Sequence, residues 1–384
     1  MKIKCRPEDF RVEEIIKLKI KRRGPYSIYR LEKRLWNTLD VIRQVQTRYH
    51  LRGFSRAGLK DRYSHSVQYL SLLGRGPEKI QAANYSLTLI GMADQPITHA
   101  LLLGNKFEIT LRNLGPQEVV VIKRSLSEIE GFGIANYYDE QRFGSARHRQ
   151  GFIARKLIDG HYNGALKLFL ATPGPGDNSR VKERKRALLA NWGDWQKCLD
   201  FVPFEGRAAI KHLVVQPKDF EGAIRLLPKV FLELFINAYQ SWLWNETLRQ
   251  LLIDLDLTDY QINYHLGRMV FYRDLTKKDW YFLKELTIPA PSPKAEFTSE
   301  RVARAMQVVM ENQGMELKDL KLKFRIKGLF FKPFLRRAIF QPQQMKMENV
   351  EPDDLYPGKY KLKLIFILPA GSYATVLLKR LKVK

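Results

Sequence analysis

The spacing of apolar residues divides this chain into strand-rich segments at its two ends and a more helical stretch between them. Leu35, Leu39, Ile42, Val45 and Gln46 recur at helical spacing, which predicts an amphipathic helix over 36–49 with Asn37 or Thr38 able to cap its start. Val67 to Leu73 reads as a strand, and over 106–112 Phe107, Ile109 and Leu111 share one face of another. Pro116 then opens a helix that Gly131 and Gly133 close. Between about Leu168 and Pro217 the pattern turns irregular, and the TPGPGDNS run at 172–179 breaks both helix and strand, so a boundary or exposed loop is expected there. A strong helix follows over 228–252, with Phe231, Leu234, Phe235, Ala238 and Trp242 as its stripe. After the proline-rich loop at 288–293, an amphipathic helix is expected near 299–313. The end returns to strand: Tyr360, Leu362, Leu364, Phe366 and Leu368 form one face, and Lys361 and Lys363 lie on the other. A turn at 369–372 precedes a closing helix over 373–381. The simplest layout is α+β, a sheet domain built from both termini and interrupted by a helical insertion.

Charge adds a partner to this picture. Lys and Arg total 66 against 40 Asp and Glu, a net charge of +26 and a sequence pI near 9.9. Such an excess repels itself unless a polyanion or counterions neutralise it, which favours a nucleic acid over an anionic membrane surface. No run of eighteen apolar residues suggests a membrane span, and the charged N-terminus has no apolar export segment. Cys5 and Cys198 stand far apart without a CxxC or a nearby His cluster, so neither a disulfide framework nor a thiolate zinc site is expected, and the cytoplasm is the natural compartment.

The large cofactor classes have no motif here. GxxxxGK[ST], GxGxxG after a strand, HExxH and GxSxG are all missing, and the seven His are scattered. No metal, nucleotide or other cofactor is therefore expected. A basic chain without cofactor machinery is either a passive RNA binder or an enzyme whose reaction needs only side chains. The segment FSRAGLKDRY at 54–63 carries that choice. Gly58 allows a tight turn, and Asp61 lies among Arg56, Lys60 and Arg62 just before a strand, where cations favour the ionised carboxylate.

This segment resembles the catalytic loop of the TruD pseudouridine synthases, whose pattern is Gly, any residue, Lys, then the catalytic Asp. Four further segments resemble the family's motifs in order: KCRPEDFRVEE at 4–14, NYYDEQRFG at 136–144, FINAYQSWLWN at 235–245 and LPAGSYAT at 368–375. The resemblance implies a mixed, mainly antiparallel sheet with flanking helices as the catalytic domain, made from 1–163 and 339–384, with an inserted α/β TRUD domain at 164–338. It implies isomerisation of a tRNA uridine, at position thirteen of the D arm, by detaching uracil from C1′, rotating it and rejoining it through C5. That reaction is redox-neutral, and one carboxylate suffices, either adding to C1′ or removing the 2′ proton.

Carried over position by position, Asp61 is the catalytic residue and Lys4 is placed to hold the carboxylate or a phosphate. Phe10 and Tyr373 match positions that pack rings about the uridine, and Asn136 matches one that hydrogen-bonds it, as an extruded base requires. Family members usually have Phe two residues after the central Asn; here Tyr138 stands there, able to stack on the uracil or to act late as an acid or base. Arg142 is expected to order its motif or bind phosphate, and Arg147 and Arg149, with the runs at 182–186, 321–327 and 379–384, to line a tRNA path. The competing reading is a catalytically inactive tRNA-binding or RNA-folding protein on the same scaffold. Asp61 separates the two, because a binder gains nothing from an acid in a basic cleft.

Overall fold

Alternation in the terminal segments produces strands that pair across almost the whole length of the chain. The structure is a computed structural model that describes residues 1–144, 146, 150–174 and 176–382. Its packing separates into two units, Met1–Ile134 with Phe340–Lys384, and Ala135–Ile339.

The first unit holds a ten-stranded sheet. At its centre Leu102–Leu114, Phe10–Ile16, His65–Leu73 and Tyr26–Arg34 lie side by side, with Tyr360–Pro369 beyond Leu102–Leu114 and Tyr85–Ala93 beyond Tyr26–Arg34. The pairings are antiparallel except between Phe10–Ile16 and His65–Leu73, which run parallel with Arg11 opposite His65 and Glu13 opposite Val67. The expected mixed, mainly antiparallel sheet with flanking helices is thus observed. Phe10, Phe107 and Phe366 pack in sequence across three strands, and the helix Thr38–Tyr49 sets Val41, Ile42 and Val45 against Tyr29, Leu31, Leu70 and Leu72. Each such side chain contributes roughly 1.5–3 kcal/mol relative to exposure.

The parallel pair positions the site. Parallel strands begin at the same end of a sheet, so the segments preceding Phe10 and His65 meet there. The ladder ends at Glu13 and Val67, after which the strand Ser55–Arg56 takes the vacated place beside His65–Leu73, opposite Leu70 and Ser71. The sheet is therefore split along its middle, and residues 57–64 run through the split.

Arg112 ties the two ends of the chain together. It is buried, and its guanidinium donates to both oxygens of Asp9 at 2.9 Å, to Asp353 at 2.9 Å and to Asp354 at 2.8 Å. Removing it leaves Asp9 and Asp353 buried without their counter-charge. Arg112→Met is expected to lower stability by about 3–5 kcal/mol in urea unfolding at neutral pH. Burial pulls the Asp353 carboxyl upward, but the donors of Asn113, Leu355 and Arg112 outweigh it and hold it below its ordinary value. A depressed carboxylate stabilises the fold above its unfolded pKa and loses that contribution as the pH falls, so the deficit should narrow below about pH 4.

The second unit is mainly helical. The long helix Lys229–Asp254 packs against Glu300–Asn312 and is buried on most sides, with Leu232, Ile236 and Leu243 inside. The expected stripe is only part of this buried surface, and its Leu234 is 49% exposed. The stretch expected to be irregular instead forms the helices Ser179–Ala190, Trp195–Phe201 and Phe204–Val215. Asn178 and Asp194 start the first two by accepting the N–H groups of Val181 and Lys197. Among the described residues, no helix is long and apolar enough to cross a membrane.

Candidate active site

Strand alternation in the first unit places a polar stripe on an otherwise apolar sheet face. Tyr29, Leu31 and Lys33 are all fully buried and point the same way, as do Phe10, Val12 and Glu14 on the strand beyond His65–Leu73. On the next strand Asn105 continues the face of Phe107, Ile109 and Leu111, and it pairs with Glu14. Lys33, Gln68, Glu14 and Asn105 thus come from four adjacent strands, and the segment 57–64 is anchored on them.

The anchors are specific. The Lys60 ammonium reaches down to Glu14 at 2.9 Å and donates to Asn105 Oδ1 at 2.7 Å, while the Lys60 N–H donates to Thr38 Oγ1, itself bonded to Gln68. Glu14 also spans the split in the sheet, accepting the Tyr69 N–H at 3.1 Å where the ladder has ended. The Lys33 ammonium donates to the carbonyls of Trp36 at 2.8 Å, Asp61 at 2.9 Å and Lys60 at 3.4 Å. The Ser64 hydroxyl supplies a second donor to the Asp61 carbonyl at 2.9 Å. Burial pushes the Lys33 ammonium down to about 8, partly countered by the Asp61 carboxylate and reinforced by Lys60.

With its backbone fixed, Asp61 turns its side chain outward. The carboxylate is 44% exposed and accepts from Lys4 Nζ at 3.0 Å. Lys4 also stands 4.3 Å above the Phe10 ring, so Asp61, Lys4 and Phe10 are brought together as one cluster. Lys4 adopts a left-handed φ of 56°, a conformation that costs a non-glycine residue roughly 1 kcal/mol or more. Paired backbone bonds between Lys2 and Arg112, and the Asp9 carboxylate on the Arg6 N–H, hold it on either side. Tyr373 is half-buried at the N-cap of the closing helix Ala374–Arg380, just after Pro369 pairs with Gly104.

The second unit assembles its own cluster. Asn136 donates its side-chain N–H to the Arg337 carbonyl at 3.0 Å, and its Oδ1 accepts from Arg336 at 2.7 Å. The Arg336 guanidinium also binds the Asn136 backbone carbonyl and stacks 4.0 Å from the centre of the Tyr138 ring. Trp244 meets the same ring edge-on at 5.6 Å. Asn245 clamps the Tyr138 backbone from both sides, accepting its N–H at 2.8 Å and donating to its carbonyl at 2.9 Å. Arg142 binds Ser241 of the same helix at 3.2 Å. The segments 136–144 and 235–245 are therefore mutually fastened, and Tyr138 is buried.

Of the basic positions singled out in the sequence, Arg147 and Arg149 lie outside the described residues. Lys185 is buried and paired with Asp177 at 2.6 Å, and Arg380 is buried against Glu128 at 2.5 Å, so both hold the structure together instead of facing a ligand. Sequence reasoning missed Lys33, Glu14 and Arg336. The first two carried a signal, a charged residue on the inward phase of an apolar strand; Arg336 carried none. Among the described residues, no group of three His, Cys, Asp or Glu is disposed to hold a metal ion.

Comparison with known proteins bears on the whole chain. Residues 1–381 match the family of tRNA pseudouridine synthase D (TruD). The tRNA pseudouridine synthase D of Aquifex aeolicus is 31% identical, over 99% of this chain and 98% of its own. That of Leptospira interrogans is 29% identical, over 100% of this chain and 96% of its own. A crystal structure from Methanosarcina mazei that bears the TruD name superposes with a TM-score of 0.74 at 26% identity, covering 99% of this chain and 93% of that one. A match of this extent, on a sheet and motif set of this kind, means that the chain belongs to the TruD family of tRNA pseudouridine synthases.

Proposed function

We propose that Asp61 is the catalytic carboxylate, acting on the uridine at position thirteen in the D arm of tRNA. The observation that carries this reading is the half-exposed Asp61 carboxylate beside Lys4 at 3.0 Å, on a loop whose backbone carbonyls are fastened from below by the buried Lys33. An acid kept outward on a rigid loop can meet an extruded nucleotide without rearranging. It then adds to C1′ or removes the 2′ proton, and in either case the base is released, turns and returns through C5 with no redox change. Lys4 supports the ionised form of the acid and supplies positive charge for a neighbouring phosphate.

Phe10, Asn136, Tyr138 and Tyr373 are proposed as uridine contacts from the family pattern, with Arg142, Arg147 and Arg149 as RNA contacts. Tyr138 is proposed to stack on the base once Arg336, which covers its ring in this structure, moves aside. The inserted TRUD domain is proposed to span 164–338, and the cytoplasm is the proposed compartment.

The test is a map at base resolution. In vitro tRNA transcripts carrying a uridine at position thirteen, and the same transcripts with cytidine there, are incubated with the protein. Pseudouridine is expected at that position in the first set and at no site in the second. Efficient modification elsewhere, with position thirteen untouched, would reject the positional assignment.

A further inference from the structure

The segment 320–333 of the second unit folds its apolar side chains around a surface groove of about 540 Å³. Leu320, Phe324, Leu329 and Phe331 are buried and form the floor, whereas Phe330 lies 55% exposed at the lip. The floor is fixed: Phe324 meets Tyr162 edge-on at 5.8 Å and lies 5.7 Å from the Arg225 guanidinium. Gly328 turns the chain with a φ of 75°, and the Leu329 N–H closes that turn on the Ile326 carbonyl at 3.0 Å.

The rim decides what the groove takes. Lys294, Lys321, Arg325 and Lys327 line it, and among the described residues no Asp or Glu does. An apolar peptide would need the floor but not this rim, and a second copy of a chain with net charge +26 would be repelled by it. A nucleotide needs both features, since its base offers a flat apolar face and its phosphates offer charge. We propose that this groove binds an unpaired, unstacked nucleotide from a loop of the tRNA, its base against Phe330 and its phosphates on Lys321, Arg325 and Lys327. The proposal rests on tRNA being the substrate, and it adds a contact remote in sequence from Asp61 and outside the five motif segments at 4–14, 54–63, 136–144, 235–245 and 368–375.

Three measurements on the full chain test it, using an unmodified tRNA transcript as the probe. In titrations at several salt concentrations, Phe330→Ala should weaken binding about tenfold with the salt slope unchanged, as loss of one stacked base does. Lys327→Ala should lower the slope by about one. Transcripts substituted with 4-thiouridine should photocrosslink within 320–333, located by mass spectrometry. Both variants should melt like the wild type, and at limiting RNA their pseudouridine yield should fall in step with the lost affinity. Wild-type affinity and slope in both variants would overturn the proposal. So would unchanged RNA binding with altered self-association, which would assign the groove to a second copy. If the wild type formed no pseudouridine while these binding effects held, the proposed catalytic role would fail and the groove would stand.

Discussion

Asp61→Asn is expected to lower pseudouridine formation by a factor on the order of 10⁴ or more while leaving fold and RNA affinity in place. The separation of these effects follows from where the carboxylate lies. Its side chain is 44% exposed and its ion pair with Lys4 faces solvent, so the pair contributes at most about 1 kcal/mol to stability. The loop itself is held through the Asp61 carbonyl, which Asn retains, and through Lys60. Removing a negative charge beside Lys4 also favours phosphate, so the RNA dissociation constant should stay the same or fall. The measurement is single-turnover tritium release from tRNA labelled at uridine C5, beside a thermal melt and an RNA titration. A variant that folds, binds and still reacts within tenfold of wild type would remove Asp61 from the chemistry. The inactive-binder reading makes the opposite forecast, no tritium release from either protein.

Much of the fold was legible because the strands carry their burial in their alternation. Phe107, Ile109 and Leu111, and the alternate residues from Leu362 to Leu368, occupy one sheet face as the pattern requires. The helix expected over 36–49 begins at Thr38, and the one opened by Pro116 ends at Phe132 before Gly133. The helices between 179 and 215 were not legible. Ser179–Ala190 is dominated by charged residues, with Lys185 and Leu188 as its buried positions, so it presents almost no apolar stripe to find. Trp195–Phe201 is only seven residues long, less than the span over which helical period becomes distinct.

The candidate site was legible where chemistry is written in residue type and hidden where it is written in pairing. Asp61 and Lys4 stand 57 residues apart, and nothing in their local sequence joins them. The parallel pairing of Phe10–Ile16 with His65–Leu73 does so, by starting both strands at one end of the sheet. Glu14 and Lys33 break the apolar alternation of their strands, and this is the mark of a buried polar network that the local reading of Asp61 passed over. Arg336 is different, because its value comes from bonding Asn136 two hundred residues away while covering the ring of Tyr138.

Lys33 should give the enzyme a pH limit that its stability does not share. A charged Lys33 has three N–H donors for the carbonyls of Trp36, Lys60 and Asp61, and a neutral amine has only two. Burial places that loss of a proton at about 8, so the loop under Asp61 should loosen as the pH rises through that value. The stability sign is opposite. A lysine whose folded pKa lies below its unfolded value of about 10.4 is bound to fewer protons in the fold between those values. Its contribution to stability therefore rises with pH across that window. Wild-type kcat/KM should accordingly fall between pH 7.5 and 9.5 while the melting temperature shows no parallel loss from this residue. In Lys33→Met the three carbonyls have no ammonium at any pH; the Asp61 carbonyl keeps the Ser64 hydroxyl, whereas those of Trp36 and Lys60 lose their donor at about 1–3 kcal/mol each, partly offset by removing a buried charge. Its activity at pH 7.5 should be about 10²-fold lower, on the scale of a misplaced catalytic group, with no inflection near 8. Comparing the two proteins on one RNA cancels the titration of the uridine itself. An inflection near pH 8 that survives in Lys33→Met would assign the pH dependence to another group and leave Lys33 with a packing role alone.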